Sequence, residues 1–241
     1  MERLHNNSMR TKWKRLSLRS RTLLLVGCVL LGWQMLRAYT VWSATKQLRR
    51  LNVSLRVIQP DISRSNWLSK EIERVVSLSV NAIVSFGGSD WLLVAQDLAP
   101  GRGGVYASIG SQELKSGRMT EIVDQLVRLG TVQHLSIWGR DVRLTYEDFR
   151  QISRLKSLKG LSIETHLEYS VVTVTPLADL PRLTSISLDG EQAYYSEEIL
   201  QFFLSIPTVK SIGLPQPSDG ELAWVKRQRP DIVLHQTDAP P

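Results

Sequence analysis

The stretch Leu158-Lys-Gly-Leu-Ser-Ile163 decides the fold, because its spacing of apolar residues returns at a fixed interval. It ends a phrase in which apolar residues stand at positions i, i+3, i+6, i+9 and i+11, and successive copies start 26, 25 and 26 residues apart. The four copies are Leu126-Leu129-Val132-Leu135-Ile137, Ile152-Leu155-Leu158-Leu161-Ile163, Leu177-Leu180-Leu183-Ile186-Leu188 and Phe203-Ile206-Val209-Ile212-Leu214. Such a period is typical of a solenoid, whose units bury their apolar faces against one another.

The spacing within the phrase also predicts local structure. Steps of three suit a helix end that runs into a turn, and the final step of two suits a short strand. With two weaker upstream matches, the expected strands lie near residues 78–80, 107–109, 135–137, 161–163, 186–188 and 212–214. The expected helix N-caps are Thr145, Thr175, Ser196 and Ser218. Residues 229–234 are expected to form a terminal strand that covers the last unit.

The phrase resembles the core of leucine-rich repeat proteins, Leu-x-x-Leu-x-Leu-x-x-Asn. The matching hexapeptides begin at Val132, Leu158, Leu183 and Val209. The Asn of that family is replaced by Arg140, His166, Glu191 and Pro217. The resemblance implies an α/β fold: a short, irregular leucine-rich repeat solenoid of about six units, with a parallel sheet on one face and helices on the other.

The amino end is a separate segment of strong positive charge. Residues 1–21 contain seven basic side chains and one acidic side chain, Glu2. This leaves 23 of the 30 basic and 22 of the 23 acidic residues for the rest of the chain, which is therefore close to neutral. A nucleic-acid-binding body needs a basic face, so the charge distribution argues against a nucleic-acid partner.

An apolar run follows the basic head. Residues 22–36 carry no charge, and a helix over residues 22–43 is roughly 33 Å long, enough for the ~30 Å hydrocarbon core of a membrane. We expect a single-pass signal-anchor, with residues 1–21 in the cytoplasm and the body outside it, in the periplasm. A cleaved secretory signal is the alternative, although Leu36 and Trp42 are poor residues for position −3 of a cleavage site.

Residues 16–33 also resemble the amino-terminal anchor of planctomycete membrane proteins, in which a helix, a strand and a leucine-rich repeat array follow. The resemblance implies a capping helix and strand in residues 44–70 and a repeat domain in residues 71–234. Residues 235–241 are expected to be a disordered tail. Those relatives are uncharacterised in function, so the resemblance supports architecture and topology only.

The exposed face of the expected sheet is the candidate binding site. Side chains between and beside the apolar strand residues point away from the core. Those proposed as binding residues are His134, Ser136, Trp138, Ser162, Glu164, Ser187 and Asp189. The middle column, from Ser79 and Ser108 to Gly213, is small throughout; this is either a floor for a ligand or what fits on a curved inner face. Trp138 is either an exposed anchor or folds onto the first cap.

We expect non-covalent binding or scaffolding of an unknown protein or peptide partner, and not catalysis. The four histidines are His5, His134, His166 and His235, and no metal-ligand spacing, nucleophile elbow or phosphate loop is present. No cofactor or metal is therefore expected. A hydrolase or metal cluster in which His134, Glu164 and Asp189 converge is the catalytic alternative, and a secreted soluble binder is the alternative to the anchored one.

Overall fold

In the part of the chain that the structure describes, seven strands form one sheet and lie side by side in their order along the chain. The structure is a computed structural model that describes residues 18–57, 104–115, 117–139, 143–164, 169–189 and 195–237. The described strands are β1 (Ser54–Val57), β2 (Val105–Gly110), β3 (Val132–Trp138), β4 (Gly160–Glu164), β5 (Ser185–Asp189), β6 (Ser211–Leu214) and β7 (Val233–Gln236). β1 is antiparallel to β2, and the later pairs are parallel.

Helices link successive parallel strands, which makes the fold α/β. The described helices are α1 (Leu18–Arg50), α2 (Ser111–Lys115), α3 (Met119–Leu129), α4 (Tyr146–Ile152), α5 (Val171–Val174), the 3-10 helix η1 (Thr175–Asp179), α6 (Glu197–Ser205) and α7 (Asp219–Gln228). The chain divides into two compact units, residues 1–40 and residues 41–241. The sheet and helices α2 to α7 belong to the second unit.

The spacing of three in the repeated phrase reflects two consecutive tight turns. The Leu155 amide donates to the Ile152 carbonyl, and the Leu158 amide donates to the Leu155 carbonyl, both at 2.9 Å. The same two bonds, at 3.2–3.4 Å, join the first three apolar residues of the third and fourth copies. Three-residue turns bring side chains at i and i+3 to the same side. All of the apolar residues of these turns are buried.

The first copy of the phrase ends its helix differently. Gly130 adopts φ 75° and donates its amide to the Leu126 carbonyl at 3.1 Å. A left-handed residue of this kind closes a helix, and glycine adopts it at little cost. Helix α3 is accordingly longer, with 11 residues, and the chain enters β3 at Val132.

The inward side chains of the strands form the core in continuous rows. Leu135, Leu161, Ile186 and Ile212 are register neighbours on four successive strands, and each is 2% exposed or less. Large buried side chains of the helices include Ile122, Leu126, Phe149, Ile152 and Phe203. Burial of one such side chain stabilises the folded state by about 1.5–3 kcal/mol.

Five of the six expected repeat strands are present, as β2 to β6, and each is slightly longer than the phrase predicts. The sixth expectation, near residues 78–80, lies outside the described residues. The neighbour of β2 on that side is β1, whose Leu55 pairs with Ala107. The expectation that an upstream repeat strand continues the array beside β2 is therefore wrong, because a strand from residues 54–57 occupies that edge in the opposite direction.

The carboxyl end also differs from expectation. The last strand is β7 (Val233–Gln236) rather than residues 229–234, so His235 and Gln236 belong to the sheet and not to a disordered tail. Arg229 explains the shift, because its guanidinium donates to the Leu204 carbonyl at 2.7 Å and to Asp231 Oδ1 at 2.9 Å. These bonds hold the chain in a turn before the strand begins. Residues 238–241 lie outside the described residues.

Three of the four predicted N-caps are confirmed: Thr145, Ser196 and Ser218 each accept an amide proton of the first helical turn. Thr145 and Ser218 form complete capping boxes with Asp148 and Glu221. The prediction for Thr175 is wrong. Ser170 is the N-cap of α5, whereas Thr175 is the C-cap of α5 and precedes Pro176 in η1.

Helix α1 continues through residues 44–50, which the sequence assigns to a separate helix. No proline or glycine interrupts residues 33–50, so nothing in the chain breaks the helix there. By length and composition it is sufficient to span a membrane, a property that it shares with a signal sequence. In the second unit its last turns bury Val41, Ala44, Thr45 and Leu48, a spacing that places them on one helix face.

Candidate functional site

The outward face of the sheet carries three rows of side chains, set by the strand register. We name the middle row by its residues Ser108, Ser136, Ser162, Ser187 and Gly213. The N-terminal row consists of Tyr106, His134, Gly160, Ser185 and Ser211. The C-terminal row consists of Trp138, Glu164 and Asp189, of which Glu164 on β4 and Asp189 on β5 are register partners. The serines of the middle row are all partly exposed, unlike their buried neighbours along each strand.

Trp138 is an exposed aromatic side chain with a fixed position. It is 51% exposed, and its indole Nε1 donates a 2.9 Å hydrogen bond to Ser108 Oγ on β2. Gly110, the register partner of Trp138, is buried and has no side chain that could obstruct the indole. Of the two positions that the sequence allows for Trp138, the structure shows the exposed one, with the ring directed toward β2.

Asp189 is held by two hydroxyls of the middle row. Its Oδ1 accepts a hydrogen bond of 2.6 Å from Ser187 Oγ, and its Oδ2 accepts one from Ser162 Oγ on the neighbouring strand. Glu164 stands directly beside Asp189 in the register. Neither carboxylate forms an ion pair with any residue that the structure describes. Like charges that face each other across strands repel, so this pair of carboxylates favours a cation nearby.

His134 lies at the other side of the face. Its ring is stacked on Tyr106, with centroids 6.5 Å apart, and its Nδ1 lies 2.4 Å from the point where a Cβ on Gly160 would stand. Glycine at position 160 thus gives the imidazole room to lie across β4. Burial, and secondarily the charge of Lys159, lower the pKa of His134 below its ordinary value of 6.5. Both effects favour the neutral form of the imidazole.

The face does not bring His134 together with the two carboxylates. The register partner of His134 is Gly160, and Glu164 lies four residues farther along β4, about 13 Å at ~3.3 Å per residue. The converging cluster of His134, Glu164 and Asp189 that a hydrolase or metal site would need is therefore not formed. Among the described residues, no group of three His, Cys, Asp or Glu side chains is placed to hold a metal ion.

One residue of the face was missed from the sequence. His235 on β7 is the register partner of Gly213, and its Nδ1 lies 3.3 Å from Ser211 Oγ. The alternation of side chains at Val233, Leu234 and His235 indicates a strand, but the strand is only four residues long. From the sequence, residues 235–241 are expected to form a disordered tail, which leaves His235 out of the sheet.

A cleft of about 510 Å³ lies apart from this face, near the N-termini of α4, α5 and α6. Its lining residues are Arg143, Leu144, Tyr169, Ser170, Thr173, Ser196 and Glu198. Ser170 and Ser196 already accept the amide protons of Thr173 and Ile199 as N-caps. Residues 140–142 and 191–194 lie outside the described residues. Tyr195 lies within the described residues. Burial of its hydroxyl raises its pKa, and a hydrogen bond to Glu221 raises it further.

No protein-family model matches the chain, and neither the curated proteins nor the solved structures give a match.

Proposed function

We propose that this protein is a single-pass membrane protein that presents a leucine-rich repeat solenoid on the extracytoplasmic side. Through the outward face of the sheet it binds a protein or peptide partner without covalent chemistry. The observation that carries this proposal is the middle row, in which partly exposed serines on four successive strands, followed by Gly213 on the fifth, form a shallow polar floor. Aromatic and acidic groups flank that floor on one side, and this combination supports orientation and specificity in binding sites.

Repeated contacts between units support the solenoid. Lys210 and Ser211 donate their amides to the Thr184 carbonyl, and Thr184 and Ser185 donate theirs to the Lys159 carbonyl. The same pair of bonds therefore recurs one repeat length apart. A unit that depends on its neighbour for both hydrogen bonds and apolar cover is the basis of solenoid stability.

Exposed apolar side chains on α1 support the membrane anchor. Leu23, Val29, Trp33 and Met35 are 66–74% exposed, and a soluble protein rarely leaves a contiguous apolar surface of that kind in water. A lipid-covered stretch from residue 23 to residue 39 is ~26 Å long as a helix, close to the ~30 Å hydrocarbon core.

Two measurements on the native protein test the anchor. We expect mass spectrometry to find residues 22–43 in the native protein, and we expect the protein to remain in membranes washed with alkaline carbonate. We expect protease added outside the cytoplasmic membrane to digest the body. A mature chain that begins near residue 39 or 45 would instead establish the secreted binder, and protection of the body would place it in the cytoplasm.

Site-specific photo-crosslinking tests binding through the sheet face. A photoreactive residue at Ser162 or Ser136 should give an adduct of one defined mass in native membranes. The matched control is Gln201, an exposed residue of α6, where that adduct should be missing. Equal adducts from Gln201 and the serines, or adducts from Gln201 alone, would refute the sheet face as the binding surface.

A further inference from the structure

We propose that the edge of the sheet at which the parallel strands begin docks onto the phosphodiester headgroups of an anionic lipid bilayer. This inference rests on the proposed function, because it needs the membrane anchor, and it concerns a different surface from the outward face. We name this surface the amino edge. Because β2 to β7 run parallel, the connections that lead into them lie on one side of the sheet. These connections from a helix to the next strand are residues 130–131, 153–159, 180–184, 206–210 and 229–232.

Charge is divided unevenly between the two edges of the sheet. The amino edge has one acidic residue, Asp231, and six basic residues: Arg154, Lys156, Lys159, Arg182, Lys210 and Arg229. At the opposite edge, the strand ends and the first turns of the helices carry eight acidic residues: Glu147, Asp148, Glu164, Asp189, Glu197, Glu198, Asp219 and Glu221. The nearly neutral total of the body therefore conceals one positive and one negative edge.

The basic residues of the amino edge form a row. The Thr184 amide donates to the Lys159 carbonyl at 2.7 Å, and the Lys210 amide donates to the Thr184 carbonyl at 2.8 Å. The backbones of Lys159 and Lys210 are thus two strand intervals apart, ~10 Å. Arg182 lies in the connection between them. Ammonium and guanidinium groups both bind phosphate oxygens, so a row at this spacing can engage several headgroups at once.

Two residues of the row keep an uncompensated charge. Lys159 and Arg182 are exposed, and neither forms an ion pair within the described ranges of the chain. Ion pairs neutralise part of the rest: Arg154 with Asp124, and both Lys210 and Arg229 with Asp231. Exposed pairs of this kind contribute little to stability, so a phosphate can compete for their basic partners.

The anchor leaves little chain between the bilayer and the body. Tyr39 is 64% exposed, whereas Val41, two residues later in the same helix, is fully buried. The helix rises only ~3 Å between these residues. A surface that is tethered this closely meets its ligand at a high effective concentration, so even a modest attraction to headgroups suffices for docking.

An anionic bilayer selects the amino edge over the opposite edge. It attracts the basic row and repels the carboxylates, and each Lys or Arg near such a surface strengthens the attraction about fivefold. Outside the cytoplasm the bilayer, and not nucleic acid, is the polyanion within reach. A second copy that stacks its negative edge on this row is the alternative partner, and the test below separates it from lipid.

The test uses the full chain at one copy per lipid nanodisc, with an energy-transfer acceptor on the lipid headgroups. In a Cys28→Ser chain, a donor dye is attached through Ser205→Cys, beside the amino edge, or through Tyr146→Cys, beside the opposite edge. In discs that contain phosphatidylglycerol we expect more energy transfer from position 205 than from position 146. This difference should diminish in discs of phosphatidylcholine alone and at about 1 M salt, where the Debye length is about 3 Å.

The double variant Lys159→Gln/Arg182→Gln removes the two uncompensated charges. In anionic discs it should shift the docking equilibrium toward the free state by on the order of tenfold, as read from energy transfer at position 205 while the salt concentration is raised. The matched control, Arg118→Gln/Arg143→Gln, removes two exposed arginines that precede α3 and α4, and it should behave as the wild type.

Several results would overturn the proposal. They are an equal loss in the control, equal transfer from the two dye positions in the wild type, and transfer that is the same in both lipid compositions. Contact of the amino edge that requires two copies per disc would identify the second copy as the partner and would also overturn it. The lipid and salt comparisons use the chain with its basic residues intact, so they decide the question even if the double variant does not fold.

The two proposals fail in distinguishable ways. If the protein remains in carbonate-washed membranes but its energy transfer is insensitive to lipid charge, only the present inference is wrong. If residues 22–43 are missing from the native protein, the anchor is wrong and the proposed function fails with it. The cross-link from Ser162 reports on the outward face and does not depend on the amino edge.

Discussion

The indole of Trp138 and the hydroxyl of Ser108 connect two adjacent strands across the outward face, with 2.9 Å between Nε1 and Oγ. The bond satisfies the only hydrogen-bond donor of the indole, while about half of the side chain remains exposed. A large aromatic side chain is thereby kept at a defined place on a surface whose other members are mostly serines. This is the most specific feature of the candidate site.

Removal of that hydroxyl should release the ring without unfolding the protein. We expect Ser108→Ala to move the 19F signal of 5-fluorotryptophan at position 138 toward the solvent-exposed range and to sharpen it. The expected change in the free energy of unfolding is about 1 kcal/mol or less, because a single partly exposed hydrogen bond is lost. Trp138→Phe assigns the signal among the seven tryptophans.

The matched control is Ser136→Ala, in the same row on β3, for which no bond to the indole exists. Its 19F spectrum should be that of the wild type. An unchanged signal in Ser108→Ala would show that packing, and not the hydrogen bond, positions Trp138.

Gly160 should not tolerate a side chain. Its Cβ would stand 2.4 Å from His134 Nδ1 and 2.9 Å from Cε1, so the imidazole would have to leave its place beside Tyr106. We expect Gly160→Ala to lower the free energy of unfolding by about 1–3 kcal/mol, as overpacking does. Urea unfolding followed by circular dichroism measures it, and His134→Ala in the same chain should restore part of the loss.

Gly220 provides a control of opposite sign. It lies in the first turn of α7, and the nearest atom to an added Cβ is Ser218 Oγ at 3.8 Å. Alanine there removes backbone freedom from the unfolded chain, so Gly220→Ala should stabilise by up to ~1 kcal/mol. Equal effects of the two substitutions would mean that the space above Gly160 is not limiting.

The sequence predicts the parts of this fold that depend on short-range spacing. Ile152, Leu155 and Leu158 are spaced three residues apart because consecutive three-residue turns direct their side chains to the same side of the chain. The alternation that follows gives strands β2 to β6, and Ser-x-x-Glu at Ser218 gives a capping box. Each of these signals is contained within about a dozen residues.

Features that depend on distant pairing could not be predicted. The place of β1 beside β2 joins residues about fifty positions apart, and no local pattern fixes its antiparallel direction. The bonds of Asp189 require the register of β4 on β5, which aligns Ser162 with Ser187. The sequence proposes both serines and Asp189 as surface groups, but only the register shows that they bond to one another.

The N-cap of α4 should contribute measurably to stability. Thr145 accepts the amide proton of Asp148, and the Asp148 carboxylate accepts the Thr145 amide proton at 2.8 Å. We expect Thr145→Ala to lower the free energy of unfolding by about 1 kcal/mol, because the hydroxyl that accepts the Asp148 amide proton is lost, while the backbone amide of residue 145 remains. The measurement is chemical denaturation at constant pH.

Ser205→Ala is the control for Thr145→Ala. Ser205 ends α6, and its hydroxyl donates only to the Phe202 carbonyl within the same turn. Its removal should change stability by less than half as much. A Thr145→Ala protein as stable as the wild type would indicate that α4 is held by the packing of Phe149 and Ile152 rather than by its cap.

His134 should make the stability of the body pH-dependent below pH 6.5. Burial first, and Lys159 second, lower its pKa in the folded state, so the unfolded chain binds a proton at higher pH than the folded chain does. The stabilisation is complete above the ordinary value of 6.5 and decreases as the pH falls from there to the folded-state pKa. We expect an NMR titration of labelled imidazoles to place His134 below 6.5, with His134→Asn as the assignment.

Two lysine variants distinguish the effect of burial on the pKa of His134 from the effect of the Lys159 charge. Lys159→Ala removes the neighbouring positive charge and should raise the pKa of His134 partway toward 6.5, while burial by Tyr106 and the β4 backbone keeps the rest of the shift. Lys156→Ala is the matched control, because its ammonium donates to the Asp179 carbonyl and is not among the causes of the shift. A His134 pKa that is equally sensitive to both lysines would indicate a diffuse surface potential instead of a local contact, and a value at or above 6.5 in the wild type would mean that the imidazole does not lie over Gly160.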